Sequence, residues 1–330
     1  MPGLTRRLLL AVLATLALAV AASPAGAAGH AHAPRTNPNV GIVDVYTTLG
    51  YEHGVAAGTG MIVSRSGEVL TNNHVIRGAT AFRVVDVTTH RTYAATVVGY
   101  SVTRDVAVLQ LTGASGLHPI PLGRFARVKV GQAVVARGNA QGRGGTPKAA
   151  RGKVIALHRQ IVAQDETGET ETLTNVIVTN AHVEPGDSGG PLENAQGRAI
   201  GMVTAGSTSG PRRGFAIPIA QALAVAKLIE QGTATATVHV GPTAFLGVVL
   251  QDAAGGAQVV QVVPGSAAEA AGIVTGDVIT SLAGHAVSSE ADVRQVVLSL
   301  APGSPVAITW TDASGAEHTG TITPASGPPQ

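Results

Sequence analysis

Glu184-Pro185-Gly186-Asp187-Ser188-Gly189-Gly190-Pro191-Leu192 sets one serine among glycines, with a proline on either side. Such a stretch makes a tight turn that exposes one hydroxyl and aims backbone N–H groups at a single point, as an oxyanion hole requires. The N–H groups of Gly186 and Ser188 are the expected donors. A serine hydroxyl is a poor nucleophile alone and needs a general base, which itself needs a group to orient it. Thr71-Asn72-Asn73-His74-Val75 offers a histidine just after an apolar strand, and Thr103-Arg104-Asp105-Val106-Ala107-Val108-Leu109 offers an aspartate at the mouth of another. The chemistry is acyl transfer: Ser188 attacks, His74 takes its proton and later releases it to the leaving group, and Asp105 fixes the imidazole tautomer. No metal or cofactor is called for, and the histidines show no HExxH spacing.

The chain order His, Asp, Ser is that of chymotrypsin-like enzymes and differs from those of subtilisins and α/β-hydrolases, which also disfavours an esterase on one of those folds. The three segments together resemble the trypsin-like serine proteases of the HtrA type. Gly58-Thr59-Gly60-Met61-Ile62-Val63 resembles the strand leading towards the histidine, and Gly214-Phe215-Ala216-Ile217-Pro218 the segment closing a second barrel. The resemblance implies an endopeptidase that cleaves unfolded or misfolded polypeptides, and commonly a homotrimer formed through the protease domains. It also implies that Gly201-Met202-Val203-Thr204-Ala205-Gly206 pairs with the substrate backbone and walls the S1 pocket, with Gly214 opposite. The pocket floor then falls six residues before Ser188, at His182. Trypsins carry an aspartate there, so cleavage after Arg or Lys is not expected. His182 also departs from the small residue usual in the HtrA type: it either points away and leaves a small apolar pocket, or lines the pocket and favours a polar or acidic P1. No Ile-Val-Gly-Gly site occurs upstream, so activation by propeptide cleavage is not expected.

These groups must be carried by short strands. From Val40 onward, apolar runs at residues 61–63, 69–70, 82–87, 94–98 and 106–111 alternate with turn residues, and a second set follows at 130–136, 153–157, 175–179, 199–204 and 214–217. That is the pattern of all-β barrels. The expected fold is mainly β: a two-barrel, chymotrypsin-like protease domain at residues 40–232, with His74 and Asp105 from one barrel and Ser188 from the other. Residues 164–174 are polar and acidic and are expected to form a mobile loop. In the resemblance a loop at this place senses activating signals. Residues 218–232 close the domain with an amphipathic helix whose Ile219, Leu223, Ala226 and Ile229 share a face, ended by Gly232.

Residues 233–241 read as a linker. Residues 242–324 resemble a PDZ domain of α+β type, marked by Phe245-Leu246-Gly247-Val248, Val263-Pro264-Gly265-Ser266-Ala267-Ala268 and Gly276-Asp277-Val278-Ile279. Ser289 is placed to cap a helix with Asp292 three residues on, presenting Val293, Val296, Val297 and Leu300. This face and the strand at Leu246, Gly247 and Val248 should form a groove where an extended peptide C-terminus adds as a strand. Residues 325–330 read as a tail. A non-enzymatic peptide-binding chaperone using the same groove is the rival reading.

Met1 is followed by Arg6 and Arg7, an apolar run over residues 8–22 and a small-residue site at Ala25-Gly26-Ala27, so residues 1–27 read as a secretory signal. A secreted or extracytoplasmic protein is expected; the alternative is an uncleaved segment that anchors it to the membrane, facing outside. Residues 28–39 lack apolar periodicity and read as a flexible lead-in, with His30 and His32 solvated. The formal charge is +2 and falls to zero once Arg6 and Arg7 are removed, so no nucleic-acid footprint remains. There are no cysteines, so the cores alone must hold the fold. Aromatics make up only 3% of the chain, which leaves those cores to Val, Ile, Leu and Ala.

Overall fold

Val and Ile alternating with small polar residues give a pleated surface with one apolar face, and the protein closes two such surfaces into rings. The computed structural model describes residues 37–51, 53–164, 170–207 and 210–330, which lie in one unit, Asn37–Gln330. The expected signal and most of the lead-in fall outside the described residues. The first ring consists of β1 (Ile42–Leu49), β2 (Gly54–Ile62), β3 (Glu68–Thr71), β4 (Ala81–Asp86), β5 (Thr92–Ser101) and β6 (Val106–Leu111). All its pairings are antiparallel, and β5 with β6 closes the circle. A one-turn helix, α1 (Asn73–Ile76), follows β3 and carries His74. The interior is filled by Val43, Val45, Ile62, Val69, Val84 and Leu109, each at most 1% exposed.

The second barrel consists of β7 (Ala133–Gly138), β8 (Lys148–Gln164), β9 (Thr170–Thr179), β10 (Pro191–Glu193), β11 (Ala199–Gly206) and β12 (Gly214–Pro218). Between the barrels lies an apolar seam of Ile42, Met61, Leu70, Met202 and Ile217. Helix α2 (Ile219–Glu230) packs into the same seam through Ile219, Ala222, Val225, Ala226 and Ile229. Each such side chain, fully buried, contributes ~1.5–3 kcal/mol, less for alanine, so the two rings are joined by core rather than by surface. The helix ends as expected at Gly232, φ +67°, whose N–H donates to the Ile229 carbonyl while Thr233 N–H donates to that of Leu228. This is a Schellman ending.

The expected loop at 164–174 is corrected in part. Thr170 to Thr174 continue β9, with Ile161 opposite Leu173 and Ala163 opposite Glu171, and Leu173 is buried beside Val176 and Val178. Polar residues alternate with that one anchor on a strand, which a count of polar residues conceals. Residues 165–169 lie outside the described residues.

The linker is also not free along its length. β13 (His239–Val240) adds to the edge of β5 opposite Tyr100 and Gly99, and Gly241 N–H donates to the Val98 carbonyl. The last block contains β14 (Thr243–Phe245), β15 (Val248–Ala253), β16 (Gly256–Val262), α3 (Ala267–Ala270), β17 (Val278–Leu282), β18 (His285–Ala286), α4 (Glu290–Ser299), β19 (Val306–Thr311), β20 (Glu317–Ile322) and β21 (Ala325–Gly327). Strands β15, β16, β17, β19 and β20 form its sheet, covered by α4 through Val293, Val296 and Val297. The Ser289 hydroxyl accepts from Asp292 N–H at 3.2 Å, as the spacing implied. The tail is a correction: β21 pairs with β14, Thr243 opposite Gly327 and Phe245 opposite Ala325.

Candidate functional site

Asp105 begins where β6 enters the barrel and is wholly buried at φ +49°, a region Asp tolerates better than most residues. Four neighbours hold it there. Its N–H donates to the Val102 carbonyl at 3.0 Å and its carbonyl accepts from Asn72 Nδ2 at 2.8 Å. Its carboxylate accepts from His74 N–H at 3.1 Å and from Thr204 Oγ1 at 2.5 Å. His74 Nδ1 lies 3.0 Å from both carboxylate oxygens. A carboxylate only accepts, so Nδ1 carries the proton and Nε2 is the nitrogen able to take one.

Ser188 comes from the other barrel, and its Oγ donates to the Thr204 carbonyl at 3.1 Å. Thr204 on β11 thus touches Asp105 with its hydroxyl and Ser188 with its backbone, joining the expected nucleophile to the expected orienting acid. Sequence reading placed Thr204 on the strand that pairs with the substrate backbone and walls its pocket, and gave no role to its hydroxyl, which is committed to the carboxylate.

The turn before Ser188 is clamped from β2. Thr59 Oγ1 donates to the Gly186 carbonyl at 2.7 Å and accepts from Asn139 N–H at 2.8 Å, while Thr59 N–H donates to the Ser188 carbonyl at 2.8 Å. Gly186 sits at φ +91°, where a Cβ would strike the Asn139 carbonyl. The Pro185 carbonyl accepts from Gln141 N–H at 2.6 Å. Because the peptide is planar and trans, that bond turns the Gly186 N–H to the opposite side. Thr59 and Asn139 were not singled out from the sequence; the small residues flanking Thr59 in Gly58-Thr59-Gly60 were the available signal.

Asp187 is turned inward, 3% exposed, its Oδ2 accepting from Glu184 N–H at 2.9 Å. Burial pushes its carboxyl up to about 6, the Glu184 charge adds to this, and the Glu184 N–H opposes it. Glu184 is held below its ordinary value by the hydrogen bond from Lys148 Nζ at 2.6 Å.

The expected floor residue, His182, has a half-exposed side chain whose Nε2 stands 3.6 Å from Glu184 Oε1. Its neighbour Val183 meets the glycine walls instead. A Cβ on Gly214 would come to 2.6 Å from Val183 Cγ2, and one on Gly206 to 2.9 Å from the Val183 carbonyl. Ala205 follows Thr204 on β11, opposite Phe215 of β12.

In the last block the expected groove residues converge. A cavity of about 560 Å³ is bordered by Leu246, Gly247, Val248, Val293 and Val297, and also by His74 of the first barrel. Gly247, φ +84°, allows the Ser266 side chain to close against the turn, which a Cβ would block.

A trypsin-like peptidase domain family matches residues 58–202 and a PDZ domain family matches residues 244–311. The chain therefore carries a trypsin-like peptidase domain followed by a PDZ domain. The serine protease PepD of Mycobacterium tuberculosis is 36% identical over 303 residues, covering 86% of this chain and 63% of PepD. A probable periplasmic serine protease do/HhoA-like of Haemophilus influenzae is 37% identical over 266 residues, covering 77% of this chain and 55% of that protein. Among solved structures, the HtrA-type protease AlgW with tripeptide superposes with a TM-score of 0.51 at 28% identity, covering 88% of this chain and 95% of that one. The chain spans roughly 55 to 63% of the length of these two curated relatives. Among the described residues, no helix is long and apolar enough to cross a membrane.

Proposed function

We propose that this chain is an exported serine endopeptidase that cleaves unfolded or misfolded polypeptides through a His74, Asp105 and Ser188 acyl-enzyme mechanism. The observation that carries the reading is the bridge at Thr204, which ties Ser188 and Asp105 to one residue while His74 Nδ1 faces the same carboxylate. Ser188 Oγ attacks the scissile carbonyl carbon as its proton passes to His74 Nε2. The resulting oxyanion is held by the N–H groups of Gly186 and Ser188. His74 returns the proton to the leaving amine as the C–N bond breaks, and water then repeats the sequence to release the acid and restore Ser188.

Ser188 Oγ donates its proton to the Thr204 carbonyl, and that proton must be redirected to His74 for attack. A substrate strand added along β11 offers its own N–H to that carbonyl and frees the hydroxyl, so binding of the correct backbone sets the nucleophile. The Val183 side chain against Gly214 supports a small aliphatic P1. The groove at Leu246, Gly247, Val248, Val293 and Val297 takes apolar peptide C-termini. The periplasmic naming of relatives supports an extracytoplasmic site of action. A homotrimer through the protease domains, and membrane retention if the N-terminal segment is uncut, extend the same reading.

The test is covalent labelling with a fluorophosphonate, comparing the wild type with Ser188→Ala. Labelling and casein cleavage by the wild type alone are expected. Absence of labelling even with an apolar C-terminal peptide present would leave the peptide-binding chaperone as the better reading.

A further inference from the structure

The cavity that joins the PDZ groove to His74 is also bordered by residues 328–330 of the chain itself. Strand β21 leads this segment back along β14, the strand immediately before Leu246. From there it crosses to the protease. The Pro329 carbonyl accepts from Gly78 N–H at 2.9 Å, just beyond α1. The Gln330 carbonyl accepts from Asn73 Nδ2 at 3.0 Å, and Gln330 N–H donates to the Tyr100 hydroxyl at 3.2 Å. Asn73 is the residue directly before His74, and Tyr100 also meets Thr243 of β14 at 3.0 Å. Pro328 and Pro329 are buried. Proline loses little chain entropy on being held extended, so a short segment can be fixed by few bonds.

We infer that residues 328–330 are an internal strap that ties one wall of the PDZ groove to the His74 turn, and that a peptide settling in the groove competes with it. This rests on the proposed protease reading for its effect on cleavage, but not for its effect on binding. Three hydrogen bonds are individually modest in water, which suits a strap that an apolar peptide can lift. The same space runs from Val293 and Val297 past the strap to Val55 and Ala56 of β2, beside a second groove lined by Tyr46, Ala57, Arg83, Gln141 and Gly186. A polypeptide held by its C-terminus can then lie across the cleft.

The test uses the full chain, its Δ328–330 deletion, and a length-preserving P328G/P329G variant that keeps β21 intact. Binding of a fluorescein-labelled decapeptide ending in Val-Val is read by anisotropy with Ser188→Ala in every protein. Affinity is expected to rise about tenfold in both variants, the order set by removing a few net hydrogen bonds from a competing closed state. A free Ser-Gly-Pro-Pro-Gln peptide should partly reverse the gain. Unchanged affinity in both variants overturns the strap. With Ser188 present, casein cleavage should rise in parallel. Tighter peptide binding with no cleavage by any version keeps the strap and sinks the protease reading, whereas cleavage at one common rate with unaltered affinity does the reverse.

Discussion

Thr204 shows how one side chain can settle a site's geometry. Its hydroxyl meets the buried Asp105 carboxylate at 2.5 Å, and a hydrogen bond to a charged group is worth about 1.5–3 kcal/mol. Thr204→Ala should therefore lower kcat roughly ten- to a hundredfold with KM little changed, and Thr204→Ser should recover most of it, read by steady-state cleavage of an alanine-P1 peptide. A KM effect instead would place Thr204 in substrate binding alone. Asp187 carries a pH signature. Its folded pKa, about 6, stands above its ordinary 3.8, so the native state holds the proton more tightly than the unfolded chain does. Stability from this group is then full below about pH 4, declines as pH rises to about 6 and is flat beyond. Asp44, similarly raised by burial, acts in the same sense. Urea unfolding of the wild type and Asp187→Asn between pH 4 and 7 should show the wild type losing stability relative to the variant across that window; a constant difference would refute the assignment.

The turn from Glu184 to Gly190 works only because its glycines accept conformations and contacts other residues refuse. Gly186→Ala puts a methyl into the Asn139 carbonyl at a positive φ, so the proposed oxyanion donor moves. The rate of fluorophosphonate labelling should fall about 10²- to 10³-fold, the typical loss of one such donor. Much of this element could be read in advance, because glycine, proline and serine at fixed spacing have few structural meanings. The strands of the first barrel were equally plain, since valine and isoleucine alternate there. What stayed hidden depended on direction rather than type. Nothing in Thr204 says that its hydroxyl turns to Asp105, and nothing in Val183 says that it meets Gly214. Leu173 was hidden by its polar neighbours, and the β21 segment by a composition of Ala, Ser, Gly and Pro that ordinarily marks a loose end.

The protease barrels and the PDZ block meet through specific contacts. Tyr51 stacks on Phe245 with ring centroids 4.8 Å apart, and His239 Nδ1 lies 3.0 Å from the Leu298 carbonyl. An aromatic pair is worth ~0.5–1.5 kcal/mol beyond its buried area, enough to bias docking and too little to govern folding. Tyr51→Ala should enlarge the radius of gyration in small-angle scattering while leaving the melting temperature within a few degrees; an unaltered scattering curve would show that the stack is incidental. β13 has a consequence for how far such motion can go. Because His239 and Val240 are stitched onto β5, the slack between that anchor and β14 is only Gly241 and Pro242. Two residues fully extended reach about 7 Å. The PDZ block is thus kept on a short leash, so that under the proposed function a captive chain would stay within arm's length of the scissors from one cut to the next.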